Sequence, residues 1–150
     1  MKIEAIRFGM LRVPLKTPFK TAMRTVSEIA DVVILLETDD GRTGYGSAPA
    51  TAVITGETHG SIIEAIAKVI GPAVLDGDVR DLNRITDRIQ KSIVRNFSAK
   101  AAVEIALYDL FGQFYGAPIY RLLGGGDNVI TTDITISVDY IDKMVDDARA

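Results

Sequence analysis

Cysteine and tryptophan are missing from this 150-residue sequence, and histidine occurs once, at His59. The missing thiols exclude disulfide scaffolds, Cys-ligated zinc, iron–sulfur clusters and thiol nucleophiles. A single imidazole excludes multi-His metal sites and leaves a His-based triad unsupported. Positive charge is also short: 17 Lys and Arg against 20 Asp and Glu give a net charge of −3. That balance argues against nucleic-acid affinity through a basic surface. No apolar run approaches the roughly 18 residues of a membrane span. Met1-Lys2-Ile3-Glu4 carries no apolar signal segment. The expectation is a soluble, cytoplasmic protein with neither nucleic acid nor membrane as partner. What is present, 47% apolar and 25% charged residues, is the balance of an ordinary globular protein.

The first third of the chain reads as β-structure. Ile3 to Val13 is rich in β-branched and apolar residues, and Pro14 closes it. Asp31 to Glu37 is an apolar run bounded by acids and too short for a helix. Asp39-Asp40-Gly41 carries the Asp-Gly signal of a two-residue hairpin, and Arg42 to Ala48 returns as the partner strand. A three-stranded antiparallel meander results. Two segments leave it without helical or strand period, Lys16 to Thr25 and Pro49 to Glu57. Loops of this kind on a rigid scaffold are where binding residues concentrate.

Helices are expected next. Ser61-Ile62-Ile63-Glu64 fits a capping box, followed by a stripe of Ile62, Ile63, Ile66, Val69 and Ile70 up to Gly71-Pro72. Asp81 caps a second helix carrying Leu82, Ile85, Ile89 and Ile93. Ser98 caps a third, with Ala101, Ala102, Ile105, Ala106, Leu110 and Phe114; its small residues permit close packing, and Gly116-Ala117-Pro118 ends it. Gly124-Gly125-Gly126 is the best boundary in the chain. Beyond it, Thr132, Ile134, Ile136 and Val138 alternate with polar residues as in a strand, and Ile141, Met144, Val145 and Ala148 open an amphipathic helix. One β/α unit cannot bury its own apolar faces, so the chain is expected to be a fragment or to meet a partner surface.

Few residues carry chemistry by themselves. Gly124 to Gly126 lacks the ending of a phosphate loop, and Gly44-Tyr45-Gly46 lacks the rest of a dinucleotide fingerprint; hairpin or bulge glycines explain the latter pair. His59 reads as a solvated or capping residue, and Asp109 as a carboxylate paired with Arg or with backbone donors. No three carboxylates share a spacing that suggests a hard-metal site. Arg24 stands apart. It lies in the first loop with Lys16 and Lys20, and no acid falls between Glu4 and Glu28. A guanidinium there can grip a carboxylate bidentately.

The run Ala102 to Gly112, followed by Gly116 to Gly125, resembles the end of the amino-terminal capping domain of the enolase superfamily, in its muconate-lactonizing subgroup. Val13-Pro14, the Asp-Gly hairpin and Gly44-Tyr45-Gly46 fit the same domain. Pro18 to Val26 and Val53 to Gly56 are similar to the dipeptide epimerases of that subgroup, typified by the L-Ala-D/L-Glu epimerases. Thr132 to Thr135 resembles the first strand of their barrel. One departure is Ser47, where relatives carry Glu after the Gly-aromatic-Gly.

The resemblance implies an α+β fold: a three-stranded meander followed by a helical bundle, then the first β/α unit of a TIM-type barrel. It divides the chain into a capping domain, residues 1–125, and the start of a barrel, residues 126–150. It implies the specificity and lid portion of a Mg²⁺-dependent enzyme that moves a proton at the α-carbon of the C-terminal residue of a dipeptide. Such an enzyme is expected to bind a small dipeptide and to form a homo-oligomer. Phe19 and Arg24 then belong to a first substrate-binding loop, Ile54 to a second, and Thr135 to the barrel face on which such sites sit. The family's catalytic Lys residues and Mg²⁺ ligands match no positions in this sequence, so no catalytic or metal residue is assigned, and the 150 residues alone are expected to be inactive. Other activities of the subgroup, N-acylamino acid racemisation or muconate cycloisomerisation, stand as alternatives. So does a stand-alone ligand-binding or self-associating domain derived from the cap.

Overall fold

Strand β1 (Ile3–Lys20), strand β2 (Thr25–Thr38) and strand β3 (Thr43–Pro49) form one antiparallel sheet in the order β1-β2-β3. This computed structural model describes residues 1–126 and 129–149. Residues 127, 128 and 150, which fall in the expected second segment, lie outside the described residues. Helix α1 (His59–Ala65) runs into a π turn (Ile66–Ile70) and a short helix α2 (Gly71–Val74). Helices α3 (Leu82–Ser92), α4 (Phe97–Tyr115), α5 (Ile119–Leu122) and α6 (Ile141–Arg149) follow. The meander and the helical bundle agree with the sequence. Among the described residues no helix is long and apolar enough to cross a membrane.

The chain divides into two compact units. One comprises Met1–Leu11 and Ala30–Gly126, the other Arg12–Ile29 and Asp127–Ala150.

In the first unit the core forms between the sheet and the helices. Val32, Ile34 and Leu36 on β2 are fully buried and pair across the ladder with Ala48, Gly46 and Gly44 on β3. Behind them lie Ile62, Ile66 and Ile70, then Ile85 and Ile89, and finally Ala99, Ala102, Val103, Ala106, Leu107 and Leu110 of α4. The buried face of α4 differs from the expected stripe, because Ala101, Ile105 and Phe114 point outward. The reason is the partner. Strand β3 lies directly against Ala102 and Ala106, so the smallest residues, not the largest, mark the contact. A Cβ on Gly46 would overlap the Ala102 carbonyl oxygen, and one on Gly44 the Ala106 carbonyl oxygen. These two glycines therefore exist for close approach of strand and helix, not for a bulge or hairpin as the sequence suggested.

Several boundaries move for local reasons. The Asp-Gly hairpin is closed by Thr38 N–H donating to Arg42 O at 3.0 Å, leaving three residues in the loop, with Gly41 at φ +82°. That is the three-residue loop with a left-handed glycine. Thr58, not Ser61, is the N-cap of α1: Thr58 and Ser61 bond reciprocally in a capping box. Gly71-Pro72 does not stop the helix. A π turn brings Gly71 N–H to Ile66 O, and the missing donor of Pro72 falls in the first turn of α2, where none is needed.

In the second unit, β1 and β2 continue past the expected stops as a hairpin. Thr21 N–H donates to Arg24 O at 2.9 Å, so the expected first loop shrinks to a turn at Thr21-Ala22-Met23-Arg24. Pro14 and Pro18 are tolerated because β1 is an edge strand of the sheet. Residues 131–138 make no strand ladder, contrary to their alternation, and Ile134 is 87% exposed. Alternation becomes a strand only where a neighbouring strand supplies a ladder, and none of the described strands pairs with residues 131–138. The end of this stretch is tied instead to β1: Lys20 N–H donates to Ser137 Oγ at 2.8 Å and Val138 N–H to Lys20 O at 3.0 Å. Helix α6 forms as expected.

Candidate substrate-recognition site

Arg24 occupies the tip of the β1–β2 hairpin. The turn is built by Thr21, whose Oγ1 accepts from the N–H groups of Met23 and Arg24 at 3.3 and 3.2 Å. A threonine side chain that satisfies two turn donors holds the backbone of Arg24 while leaving its side chain outside the turn. Among the described residues no carboxylate lies within ion-pair distance of Arg24. Arg12 and Lys20, further down the same hairpin, are matched by Glu28 and Asp139. The geometry thus leaves one guanidinium presented at the tip.

Phe19 and Thr135 come together. Both line a cavity of about 320 Å³ with Thr17, Pro18, Ile136 and Lys143. Its lining is mixed, with the apolar residues Phe19, Ile134 and Ile136 beside the hydroxyl-bearing Thr135 and Ser137. Lys143 Nζ donates to Asp147 Oδ1 at 2.9 Å. That hydrogen bond, together with the carboxylate's charge, raises the Lys143 pKa. It stays an ammonium at neutral pH and offers no free base. Among the described residues, no three His, Cys, Asp or Glu side chains gather where a metal ion could be held.

Ile54 belongs to the first unit. Its segment, 51–56, is a single hydrogen-bonded turn: Thr55 N–H donates to Thr51 O at 2.8 Å and Gly56 N–H to Ala52 O at 3.1 Å. Val53 and Ile54 are 64% and 68% exposed at its tip. Behind the turn, His59 Nε2 lies 2.9 Å from Ala30 O. A carbonyl only accepts, so Nε2 carries the proton and His59 is a brace between α1 and β2. Asp109 is a structural carboxylate, as its place on α4 suggested. It accepts from Tyr45 N–H at 3.0 Å, which fastens the β3–α4 contact. Asp109→Ala is expected to lower the unfolding free energy by about 1 kcal/mol, with Asp109→Asn keeping most of it, as read in urea titrations. Ser47, opposite Val33 in the ladder, is exposed on the sheet face away from α4.

One residue escaped the sequence reading. Glu57, at the end of the second loop, is 6% exposed, and its carboxylate accepts from Ser98 N–H and Ser98 Oγ–H. An acid in a polar loop carries no local mark of burial, and Ser98 lies 41 residues away.

An α+β module of a three-stranded meander backed by helices, with two exposed turns leaving the same sheet, is the class this architecture defines. The chain belongs to the mandelate racemase / muconate lactonizing enzyme family, whose N-terminal domain matches residues 3–124. It is 49% identical over 148 residues to an L-Ala-D/L-Glu epimerase of Clostridium acetobutylicum, across 99% of this chain and 41% of that protein. The L-Ala-D/L-Glu epimerase of Bacillus subtilis, solved with substrate bound, superposes with a TM-score of 0.94 at 44% identity, over 99% of this chain and 42% of that one. A dipeptide epimerase of Enterococcus faecalis, solved with Mg and L-Leu-L-Tyr, superposes with a TM-score of 0.91 at 34% identity and covers the same shares of the two chains, 99% and 42%. The chain spans about two fifths of the length of these relatives.

Proposed function

We propose that this chain is the substrate-specificity and lid portion of a Mg²⁺-dependent dipeptide epimerase. The 49% identity to an L-Ala-D/L-Glu epimerase carries the reading, because it runs over 148 residues and so through both loops. In this reading residues 1–125 are the capping domain and residues 126–150 open a (β/α) barrel. The reaction is a 1,1-proton transfer. A base removes the α-proton of the dipeptide's C-terminal residue, leaving an enediolate, and a proton returns to the opposite face. Mg²⁺ would stabilise that enediolate. The described residues supply no ligand set for the ion.

What this chain contributes is recognition. Arg24 pairs with an acidic side chain of the dipeptide, Phe19 and Ile54 cover its apolar parts, and Thr135 stands beside Phe19 at the wall of the site. Closure of the two loops excludes water from the reacting carbon.

The polypeptide of residues 1–150 is expected to show no α-proton exchange on L-Ala-L-Glu in D₂O, followed by NMR. The same chain continued through a barrel of roughly 250 residues is expected to exchange. Exchange by the shorter polypeptide overturns the division of labour. Silence of the longer one on every dipeptide, with turnover of N-acylamino acids or muconate instead, overturns the epimerase reading. The exposure of Ile134 (87%) and Ile141 (74%) favours a second reading, in which these residues bind another copy of the chain. A stable oligomer of the 150-residue polypeptide in light scattering supports it.

A further inference from the structure

We infer that Glu57 is the positioning residue of the second loop, holding Ile54 in register by capping helix α4. The inference rests on the reading of that loop as part of the dipeptide lid.

Helix α4 begins with an unusual defect. Its N-cap, Asn96, is left-handed (φ 51°, ψ 49°) and makes no side-chain capping bond. A helix start leaves its first N–H groups without partners, and here the missing acceptor arrives from elsewhere in the chain. Glu57 Oε1 and Oε2 lie 3.1 and 3.2 Å from Ser98 N, and Ser98 Oγ donates to Oε2 at 2.8 Å. An anion there also meets the positive end of the helix dipole. The capping need of α4 and the anchoring need of the loop are thus met by one carboxylate.

The burial pattern shows which end of the loop is fixed. Residues 52–56 are all exposed, and Glu57 beside them is buried. Two residues further on, His59 bonds Ala30 O, and Thr58 caps α1. The carboxyl-terminal base of the loop is therefore pinned to α4 and to β2 within three residues. Helix α4 is a packed anchor, because β3 approaches Ala102 and Ala106 closely through Gly46 and Gly44. Only the turn at 51–56 remains free to move as a lid. Without the Glu57 bonds the pivot shifts from residue 57 towards Thr58, and the turn samples positions in which Ile54 does not cover the substrate. The apparent affinity then falls in proportion to the competent fraction.

The test uses the full reading frame and two variants, Glu57→Ala and the isosteric Glu57→Gln, which keeps one acceptor. Glu57→Ala is expected to raise the KM for L-Ala-L-Glu about fivefold, with kcat changed less than about twofold, and Glu57→Gln to recover most of that loss. A melting temperature that falls with KM unchanged overturns the inference, leaving Glu57 as a helix cap only. Where Glu57→Ala does not fold, Glu57→Gln carries the test with a smaller KM rise. Hydrogen exchange separates this inference from the epimerase reading. In Glu57→Ala the amides of Thr55 and Gly56 are expected to exchange several-fold faster, and in Glu57→Gln to a smaller extent, while those of residues 102–110 keep their protection. That result holds even where the wild-type protein turns over no dipeptide, and unchanged exchange at Thr55 and Gly56 overturns the inference by itself.

Discussion

Gly46→Ala is expected to lower the unfolding free energy by about 3 kcal/mol or more. The added Cβ would overlap the carbonyl oxygen of Ala102 and crowd the carbonyl carbon at 2.9 Å. Both atoms are backbone, so no side-chain rotation relieves the clash. Either α4 lifts off β3 along its length or β3 buckles. Lifting α4 opens the contacts of Val32, Ile34 and Leu36, all fully buried. Buckling β3 breaks its ladder with β2. Gly60→Ala is the control. It sits in α1, and its nearest neighbour to a new Cβ is Thr58 Oγ1 at 3.9 Å. There the substitution is expected to be neutral or to stabilise by about 0.5 kcal/mol through the unfolded chain. Urea titrations of the two variants check both values. A cost for Gly46→Ala no larger than that of an exposed substitution would mean that β3 and α4 are not in close contact.

The same contact shows where sequence patterning reaches its limit. The small residues of α4 announced close packing, and the four-residue spacing of Ile62, Ile66 and Ile70 announced a buried helix face, because each contrast is written within one short stretch of sequence. Gly44 and Gly46 were misread because their reason is a helix more than fifty residues away. The β1–β2 hairpin beyond Val13 was invisible for the opposite cause. Almost every residue from Arg12 to Ile29 is exposed, so neither face is apolar relative to the other and no period of two is left. Residues 131–138 carry that period clearly and still make no ladder, since alternation states which face would be buried but not what buries it. Of the candidate site, the residue types were legible and the anchoring was not. Arg24 is legible because it is a cation in a stretch without acids. Glu57 is silent because burial of a loop carboxylate is decided by the helix end it meets.

On the proposed dipeptide-epimerase function, Arg24→Ala, made in the full reading frame, is expected to cut kcat/KM on L-Ala-L-Glu about 100-fold while leaving L-Ala-L-Ala within about threefold. The size of the loss matters as much as its direction. An ion pair that stays in water is worth at most about 1 kcal/mol, or roughly fivefold in kcat/KM. A pair stripped of water by its surroundings costs about 2–5 kcal/mol to break, roughly 30-fold or more. Arg24 is exposed at a hairpin tip held by Thr21, so the larger loss requires that the loops close over the bound dipeptide and remove water from the pair. A selective loss near fivefold would keep Arg24 as a recognition residue but remove the lid. An equal loss on both substrates would mean that Arg24 does not read the side-chain carboxylate. Arg24→Lys completes the test. An ammonium keeps the charge but not the two parallel N–H donors, so it restores the neutral-to-acidic preference only in part where the grip is bidentate. Full restoration by Lys would show that charge alone, and not the fork of the guanidinium, selects the substrate.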